Sequence, residues 1–174
     1  MKKYILIYGT VSGLVVICSM ILGIVASDGE GAAAGEAFGY LIMLVALSLI
    51  FVAIKQYRDN ELGGVIRFTQ GLLLGIGIST VAGVAYVIVW EIYLSVSDYA
   101  FINDYVAGVL EQAKASGITD AQYAERVAEM EAMKVNYANP IMRMPMTFLE
   151  IFPIGTIVSL ISSGLLRNRK VLPA

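Results

Sequence analysis

The chain has 174 residues, of which 58% are hydrophobic and only 15% are charged, and its mean hydropathy of +0.76 is far above that of a soluble domain. A formal net charge of -2 leaves no excess of lysine and arginine for a phosphate backbone, so no nucleic-acid partner is expected. Histidine is absent, which excludes His-based triads, His-ligated zinc and HExxH chemistry. The single cysteine, Cys18, lies in an apolar run and is interpreted as a small buried hydrophobe.

Four apolar runs are long enough to cross a bilayer. They cover about residues 4–27, 37–54, 68–95 and 147–166. The first run is longer than the roughly 7 to 15 apolar residues of a signal peptide, so a retained helix is favoured; cleavage after Ser27 would leave three spans. The sequence therefore predicts one all-α membrane domain over residues 1–174, with four transmembrane helices in the lipid bilayer.

Lysine and arginine are distributed unevenly between the connections, and this predicts the orientation. Eight of them lie in short segments on one side: Lys2, Lys3, Lys55, Arg58, Arg67, Arg167, Arg169 and Lys170. The remaining four are spread through the long connection between the third and fourth spans. Because positively charged flanks tend to stay in the cytoplasm, both termini are expected there.

The long outer connection, residues 98–146, is predicted to form a helical hairpin. Apolar residues at three- and four-residue steps indicate an amphipathic helix ending near Gly117. A capping box beginning at Thr119 should start a second helix, and Asn139 with Pro140 should stop it. The sequence leaves three environments open for this hairpin: packed on itself, lying on the headgroups or contacting a partner.

Glycines at four-residue spacing are expected to form helix-packing faces, since small residues let helix backbones approach closely. These are Gly9 and Gly13 in the first span, Gly31, Gly35 and Gly39 leading into the second, and Gly71 and Gly75 with Gly77 in the third. Packing within the four-helix bundle is the favoured use and packing between copies of the chain is the alternative, since spacing alone does not separate the two.

Two carboxylates, Glu91 and Glu150, lie in apolar surroundings and are the candidate intramembrane polar site. At about 1.5 Å per residue, Glu91 lies roughly 36 Å beyond Arg67 and Glu150 roughly 25 Å from Arg167, which places both in the outer half of the membrane. For Glu91, which has aromatic neighbours, the ordinary interpretation is a residue of the interfacial aromatic belt.

Glu150 has a second feature, because Pro153 follows it within one turn. Proline frees the carbonyl four residues earlier, that of Leu149, so the helix could kink and open a small polar pocket. A carboxylate in such a pocket can exchange a proton or hold a cation. The alternative is a structural role, in which Glu150 bonds to Ser, Thr or Tyr on a neighbouring helix.

The sequence has the pattern of a known family of membrane proteins. Three features carry the likeness: Tyr57-Arg58-Asp59 followed by Gly63-Gly64-Val65-Ile66-Arg67-Phe68, a glycine-rich third span with a long outer connection, and a last span with Glu150, Pro153 and Gly155 before a basic tail. The chain resembles the domain of unknown function 4199 family, four-span proteins known mainly from Bacteroidetes. The resemblance covers nearly the whole chain and implies an inner-membrane location, but it supplies no activity.

These observations favour a non-enzymatic accessory or scaffold protein. Neither a P-loop nor a nucleophile elbow is present, so no catalytic residue, cofactor or metal site is predicted. The expected partners are a membrane protein or further copies of the chain. The alternative is an oligomeric transporter or channel component that uses Glu150, with or without Glu91, for proton or cation handling; an intramembrane enzyme is the third class.

Overall fold

The computed structural model describes residues 1–26 and 32–173, with side chains described outside 25–38. The helices in this part of the chain are α1 (Lys2–Ala26), α2 (Ala32–Leu47), α3 (Leu49–Glu61), α4 (Phe68–Val96), α5 (Ala100–Ala115), α6 (Asp120–Ala138) and α7 (Pro140–Leu166). The predicted end of the first span at Ser27 and the glycine at Gly31 lie outside the described residues, as do the side chains around Gly35 and Ala37.

Four helical stretches are long and apolar enough to cross a membrane. They are Lys2–Ile24, Gly39–Glu61, Phe68–Val96 and Pro140–Leu166. Leucines and a valine on four different spans, Leu22, Val45, Leu73 and Leu149, are each 60% or more exposed. An apolar surface of this extent suits lipid rather than water, so the prediction of an all-α membrane protein with four spans is confirmed.

The other three spans pack around α4, whose largest contacts are with α1 and α7. Helix α1 runs parallel to α4, since Gly9 lies against Val81 and Gly13 against Ala82. Helix α7 runs antiparallel to it. The core between them is formed by aliphatic residues with Tyr86 and Trp90.

One end of the bundle, called the basic end below, gathers the termini and most of the cations. The ring of Tyr4 contacts that of Tyr57, at 5.5 Å between centroids, and its hydroxyl donates to Glu61 at 3.4 Å. These contacts bring the start of α1 to the end of α3, where α4 begins and α7 ends. The predicted grouping of the eight basic residues at one end of the spans is therefore present in the fold.

The second span consists of α2 and α3, which are separated only at Ser48. The hydroxyl of Ser48 donates to the carbonyl of Val45 at 2.6 Å, a local bond that commonly bends a helix. The helix also continues past Ile54, the predicted end of the span, to Glu61. Lys55 bonds to Asp59 one turn later at 2.6 Å, and this pairing allows the charged residues to remain helical.

The last span begins earlier than the predicted residue Thr147. The side chain of Asn139 accepts a hydrogen bond from the backbone of Ile141 at 3.0 Å, and Pro140 occupies the first turn. An asparagine cap followed by proline is a strong helix start. Residues 140–146, assigned from the sequence to the outer connection, therefore form the beginning of α7.

The connection between α4 and α7 contains the helices α5 and α6, which contact each other. Gly117 follows α5 with a φ of 72°, and the capping box predicted at Thr119 is confirmed by its bonds with Gln122 at 3.0 and 3.3 Å. Cys18 is exposed on the surface of the bundle, so its interpretation as a buried hydrophobe was wrong. Its position in an apolar run reflects contact with lipid rather than with the core.

Candidate functional site

The last turns of α4 and the first turns of α7 are joined by an ion pair between Glu91 and Arg143. Arg143 Nε lies 2.7 Å from one carboxylate oxygen of Glu91, and Nη2 lies 2.5 Å from the other. The arginine side chain is 1% exposed and that of Glu91 is 19% exposed. This parallel, two-bond geometry is the strongest form of the arginine–carboxylate interaction.

Aromatic residues and a backbone carbonyl complete the surroundings of Arg143. Its Nη1 donates to the carbonyl of Tyr137 at 2.6 Å, and its guanidinium lies 5.4 Å from the ring centre of Tyr99 and 5.5 Å from that of Tyr137. The indole of Trp90 donates to the hydroxyl of Tyr137 at 2.8 Å. The guanidinium therefore contacts α4, α6 and the junction before α5 at once, and ties α5 and α6 to the bundle.

Tyr137 lies outside the spans, and its hydroxyl is difficult to ionise. Burial raises the pKa of Tyr137 to about 12, since the charged form would lose hydration. The hydroxyl therefore stays neutral at physiological pH and accepts the bond from Trp90. This bond joins α6 to α4.

The junction between α4 and α5 has an unusual backbone conformation. Asp98 and Tyr99 have φ angles of 54° and 58°, a region that residues with a side chain rarely adopt. The backbone N–H of Tyr99 donates to the carbonyl of Leu94 at 2.9 Å, which closes the end of α4. The turn directs the ring of Tyr99 over Arg143, so the ion pair and the helix end support one another.

Glu150 has different partners from Glu91. The hydroxyl of Tyr86 lies 3.2 Å from Glu150 Oε2 and 2.8 Å from the sulfur of Met20. Tyr86 is fully buried, whereas Glu150 is exposed. The carboxylate is thus bonded to a tyrosine of a neighbouring helix, as the structural alternative expects, and no lysine or arginine of the described residues pairs with it.

The two candidate carboxylates do not form a joint site in the described structure. Glu91 is neutralised by Arg143, and Glu150 is hydrogen-bonded by Tyr86. Among the side chains that the structure describes, no group of three or more acidic or cysteine residues is arranged to hold a metal ion.

Of the candidate packing glycines that the structure describes, five contact neighbouring helices of the same chain: Gly9, Gly13, Gly71, Gly75 and Gly77. The expectation for Gly39 was wrong, because a Cβ there would meet nothing within 4 Å. A Cβ on Gly9 would lie 2.6 Å from that of Val81, and one on Gly13 would lie 2.6 Å from the carbonyl oxygen of Ala82. Between α4 and α7, the contacting pairs are Gly71 with Ser163, Gly75 with Ser159, Ser79 with Gly155 and Gly83 with Ile151. Four-residue steps along α4 match four-residue steps back along α7, and the same register places Glu91 opposite Arg143.

Sequence reasoning missed Arg143, the residue on which this site depends. The sequence places it among the four cations of the long connection, because the last span is predicted to begin only at Thr147. The signal that could have identified it is the Asn139-Pro140 start of α7. The bonds of Tyr86 and Tyr137 depend on packing between distant helices and have no local sequence signal.

The fold and the site define a multi-pass α-helical membrane protein in which a buried ion pair fixes the helices between α4 and α7 to the bundle. A family model for protein of unknown function (DUF4199) matches residues 7–168. The chain therefore belongs to this family, which confirms the resemblance read from the sequence. Neither a search of curated proteins nor a search of solved structures found a match.

Proposed function

We propose that the protein is a non-enzymatic accessory or scaffold component of the bacterial inner membrane, with both termini in the cytoplasm. In this proposal the four spans anchor the chain, and the α5–α6 pair contacts a membrane protein partner on the outer side. The orientation is supported by the eight basic residues at one end of the bundle.

The observation that carries the proposal is the small internal core of the α5–α6 pair. Helix α6 has no fully buried residue, its Tyr137 being only partly buried, and α5 fully buries only Ile102 and Val106. Val135 of α6 is 71% exposed. A helix pair that the ion pair fixes in place, yet that buries so little of itself, offers its surface for contact with another molecule.

Photo-crosslinking in cells tests this proposal. A photoreactive residue at Val135 should give one reproducible crosslinked product, because this side chain is exposed on α6. The same residue at Val106, which is 4% exposed, should give none. Leu22 serves as a second control, since it is exposed on the membrane-spanning part.

Two results would contradict the proposal. One is the same set of products from Val135 and Leu22, which would indicate random collisions in the membrane. The other is normal function of a variant in which residues 100–138 are replaced by a short flexible linker.

A second candidate function is an oligomeric transporter or channel component, and Glu150 favours it. The carboxylate lies in a membrane-spanning helix, is exposed and has no cationic partner among the described residues. An ionisable group in a span is costly unless it serves a pathway or meets a partner. Four spans enclose little polar volume, so a pathway would require several copies of the chain.

Reconstitution into vesicles tests the second candidate. The wild-type chain should dissipate an imposed proton or cation gradient, and Glu150→Gln should abolish this while leaving insertion and abundance unchanged. Glu129→Gln is the matched control, because Glu129 is exposed on α6 and pairs only with Arg126. A chain that is strictly monomeric in bilayers, or a Glu150→Gln variant that fails to fold, would contradict the transport role.

A further inference from the structure

Arg58, at the basic end, is a buried arginine that holds the C-terminal tail. Its side chain is 1% exposed, and its Nε bonds to Asp59 at 2.6 Å. Its two terminal nitrogens donate to backbone carbonyls of Leu166, at 3.4 Å, of Val171, at 3.0 Å, and of Leu172. The first of these carbonyls ends α7, and the others lie in the tail beyond it. The guanidinium therefore folds the tail back against the bundle.

The tail itself is a hydrogen-bonded turn around Asn168. Its side-chain oxygen accepts from the backbone N–H of Lys170 at 3.0 Å, and its carbonyl accepts from that of Val171 at 3.1 Å. These bonds, together with those from Arg58, fix the positions of the residues between them. The C-terminal turn, residues 167–172, is thus an ordered element at the point where the last span ends.

Three cations of this turn, Arg167, Arg169 and Lys170, are exposed and have no ion-pair partner in the described structure. The two acidic residues of the basic end are already engaged. Asp59 is paired with Lys55 and Arg58, and Glu61 accepts from Tyr4. Among the described residues of this end, no carboxylate is left to pair with the cations of the turn, which are therefore available to an anion from outside the chain.

We propose that the C-terminal turn is a binding site for the headgroups of anionic phospholipids, with Arg58 as its positioning residue. Leu166 is the last residue of a candidate span, so the turn begins where the chain leaves the hydrocarbon and the lipid phosphates lie. Clustered basic residues beside a span attract anionic lipid at roughly 1 kcal/mol for each cation. Arg58 contacts no lipid itself, because its donors are used on carbonyls and Asp59. This inference is independent of the proposed scaffold role, which concerns the other end of the molecule.

Native mass spectrometry of the full chain, titrated with dioleoyl phosphatidylglycerol or dioleoyl phosphatidylcholine, tests the proposal. The wild type should bind the first phosphatidylglycerol several-fold more tightly than phosphatidylcholine. The variant Arg167→Gln, Arg169→Gln, Lys170→Gln should lose this preference, with a weakening of about fivefold for each cation that contacts the headgroup. The matched control is Lys2→Gln with Lys3→Gln, which removes exposed cations of the same end but leaves the turn intact, and it should change the Kd less than twofold.

A second variant, Arg58→Lys, tests whether lipid binding depends on the position of the C-terminal turn as well as on its charge. Arg58→Lys keeps every charge of the turn but loses the planar fork that reaches several carbonyls. It should weaken phosphatidylglycerol binding several-fold and speed trypsin cleavage after Arg169, because the turn is released. Equal binding of both lipids by the wild type, or an unchanged Kd in the triple variant, would overturn the proposal. So would full displacement of the lipid by millimolar inorganic phosphate, which would indicate a site for free anions. If Arg58→Lys does not fold, the triple variant decides, since its three residues are exposed.

Discussion

Removal of the Arg143 guanidinium would leave the carboxylate of Glu91 without its ion-pair partner. Arg143→Ala removes both bonds to Glu91 and the bond to the carbonyl of Tyr137. Breaking one side of a buried pair typically costs about 3 kcal/mol or more, because the remaining charge stays poorly solvated. We expect the free energy of unfolding in bicelles to fall by about that amount, measured by titration with a denaturing detergent.

Two further substitutions, Arg126→Ala and Arg143→Lys, test whether the buried ion pair causes this loss of stability. Arg126→Ala breaks an exposed pair with Glu129, whose side chains are 50% and 53% exposed, and should change stability by less than about 1 kcal/mol. Arg143→Lys should give an intermediate value, because lysine keeps the charge but not the two parallel bonds. Equal effects of Arg143→Ala and Arg126→Ala would show that the buried pair contributes nothing special.

Tyr137 predicts a dependence of stability on alkaline pH. Its pKa is raised to about 12 by burial, whereas a tyrosine of the unfolded chain ionises near 10. Between these values the unfolded chain has lost the proton and the folded chain has not, so stability falls as pH rises through this window and is unaffected below it. In Tyr137→Phe this contribution to the pH dependence of stability should vanish. The measurement is the difference between the free energies of unfolding of the wild type and of this variant from about pH 9 to 12. Parallel curves would contradict the prediction.

The candidate residues could be found from the sequence more easily than their partners. Glu91 and Glu150 stand out because carboxylates are rare in apolar runs. Arg143 and Tyr86 do not, since a pair across two helices depends on the register between α4 and α7. Only the structure distinguishes a neutralised carboxylate from one bonded to a tyrosine.

At the scale of the helices, close packing of α1 on α4 depends on Gly13. A Cβ there would lie 2.6 Å from the carbonyl oxygen of Ala82 and 3.0 Å from the Cβ of Ala85. The carbonyl is backbone and cannot turn away, so Gly13→Ala must push the two helices apart. We expect a loss of about 1 to 3 kcal/mol of stability, measured by detergent titration.

Gly164→Ala is the matched control for Gly13→Ala. Gly164 also lies in a span, but a Cβ there would meet nothing within 4 Å. Alanine at this position should leave stability unchanged or raise it slightly, because glycine is the poorer helix former. If both alanine variants behave alike, the close approach of α1 and α4 does not contribute to stability.

The number of membrane-spanning helices could be predicted from the hydropathy of the sequence, whereas the residues at which these helices begin and end could not. Four apolar runs specify four spans because backbone groups in lipid must be bonded within a helix. The ends depend on individual hydrogen bonds instead: the cap at Asn139 starts α7 before Thr147, and the pair of Lys55 and Asp59 extends α3 past Ile54. Such local bonds extend a helix beyond the apolar residues that a hydropathy average detects.

At the scale of the whole molecule, the charges are separated along the bundle. The basic end has eight cations, whereas the described residues of the opposite end and of α5 and α6 are predominantly acidic. The acidic residues there are Glu91, Asp98, Asp104, Glu111, Asp120, Glu125, Glu129, Glu131 and Glu150. The acidic residues of α5 and α6 in this set repel anionic headgroups, which supports the proposal that these two helices contact a protein partner.

Orientation should depend on the cations rather than on this acidic surface, because lysine and arginine near the spans resist translocation while carboxylates contribute little. We expect an alkaline phosphatase fusion at Gly117 to be active and a fluorescent protein after the C-terminal turn to fold in the cytoplasm. Replacing Lys2, Lys3 and Arg67 by Gln should make the orientation mixed, with both reporters partly active. Replacing Glu125, Glu129 and Glu131 by Gln removes the same number of charges from α6 and should leave both reporters unchanged. An orientation that shifts with the acidic residues and not with the basic ones would reverse the assignment of the two ends.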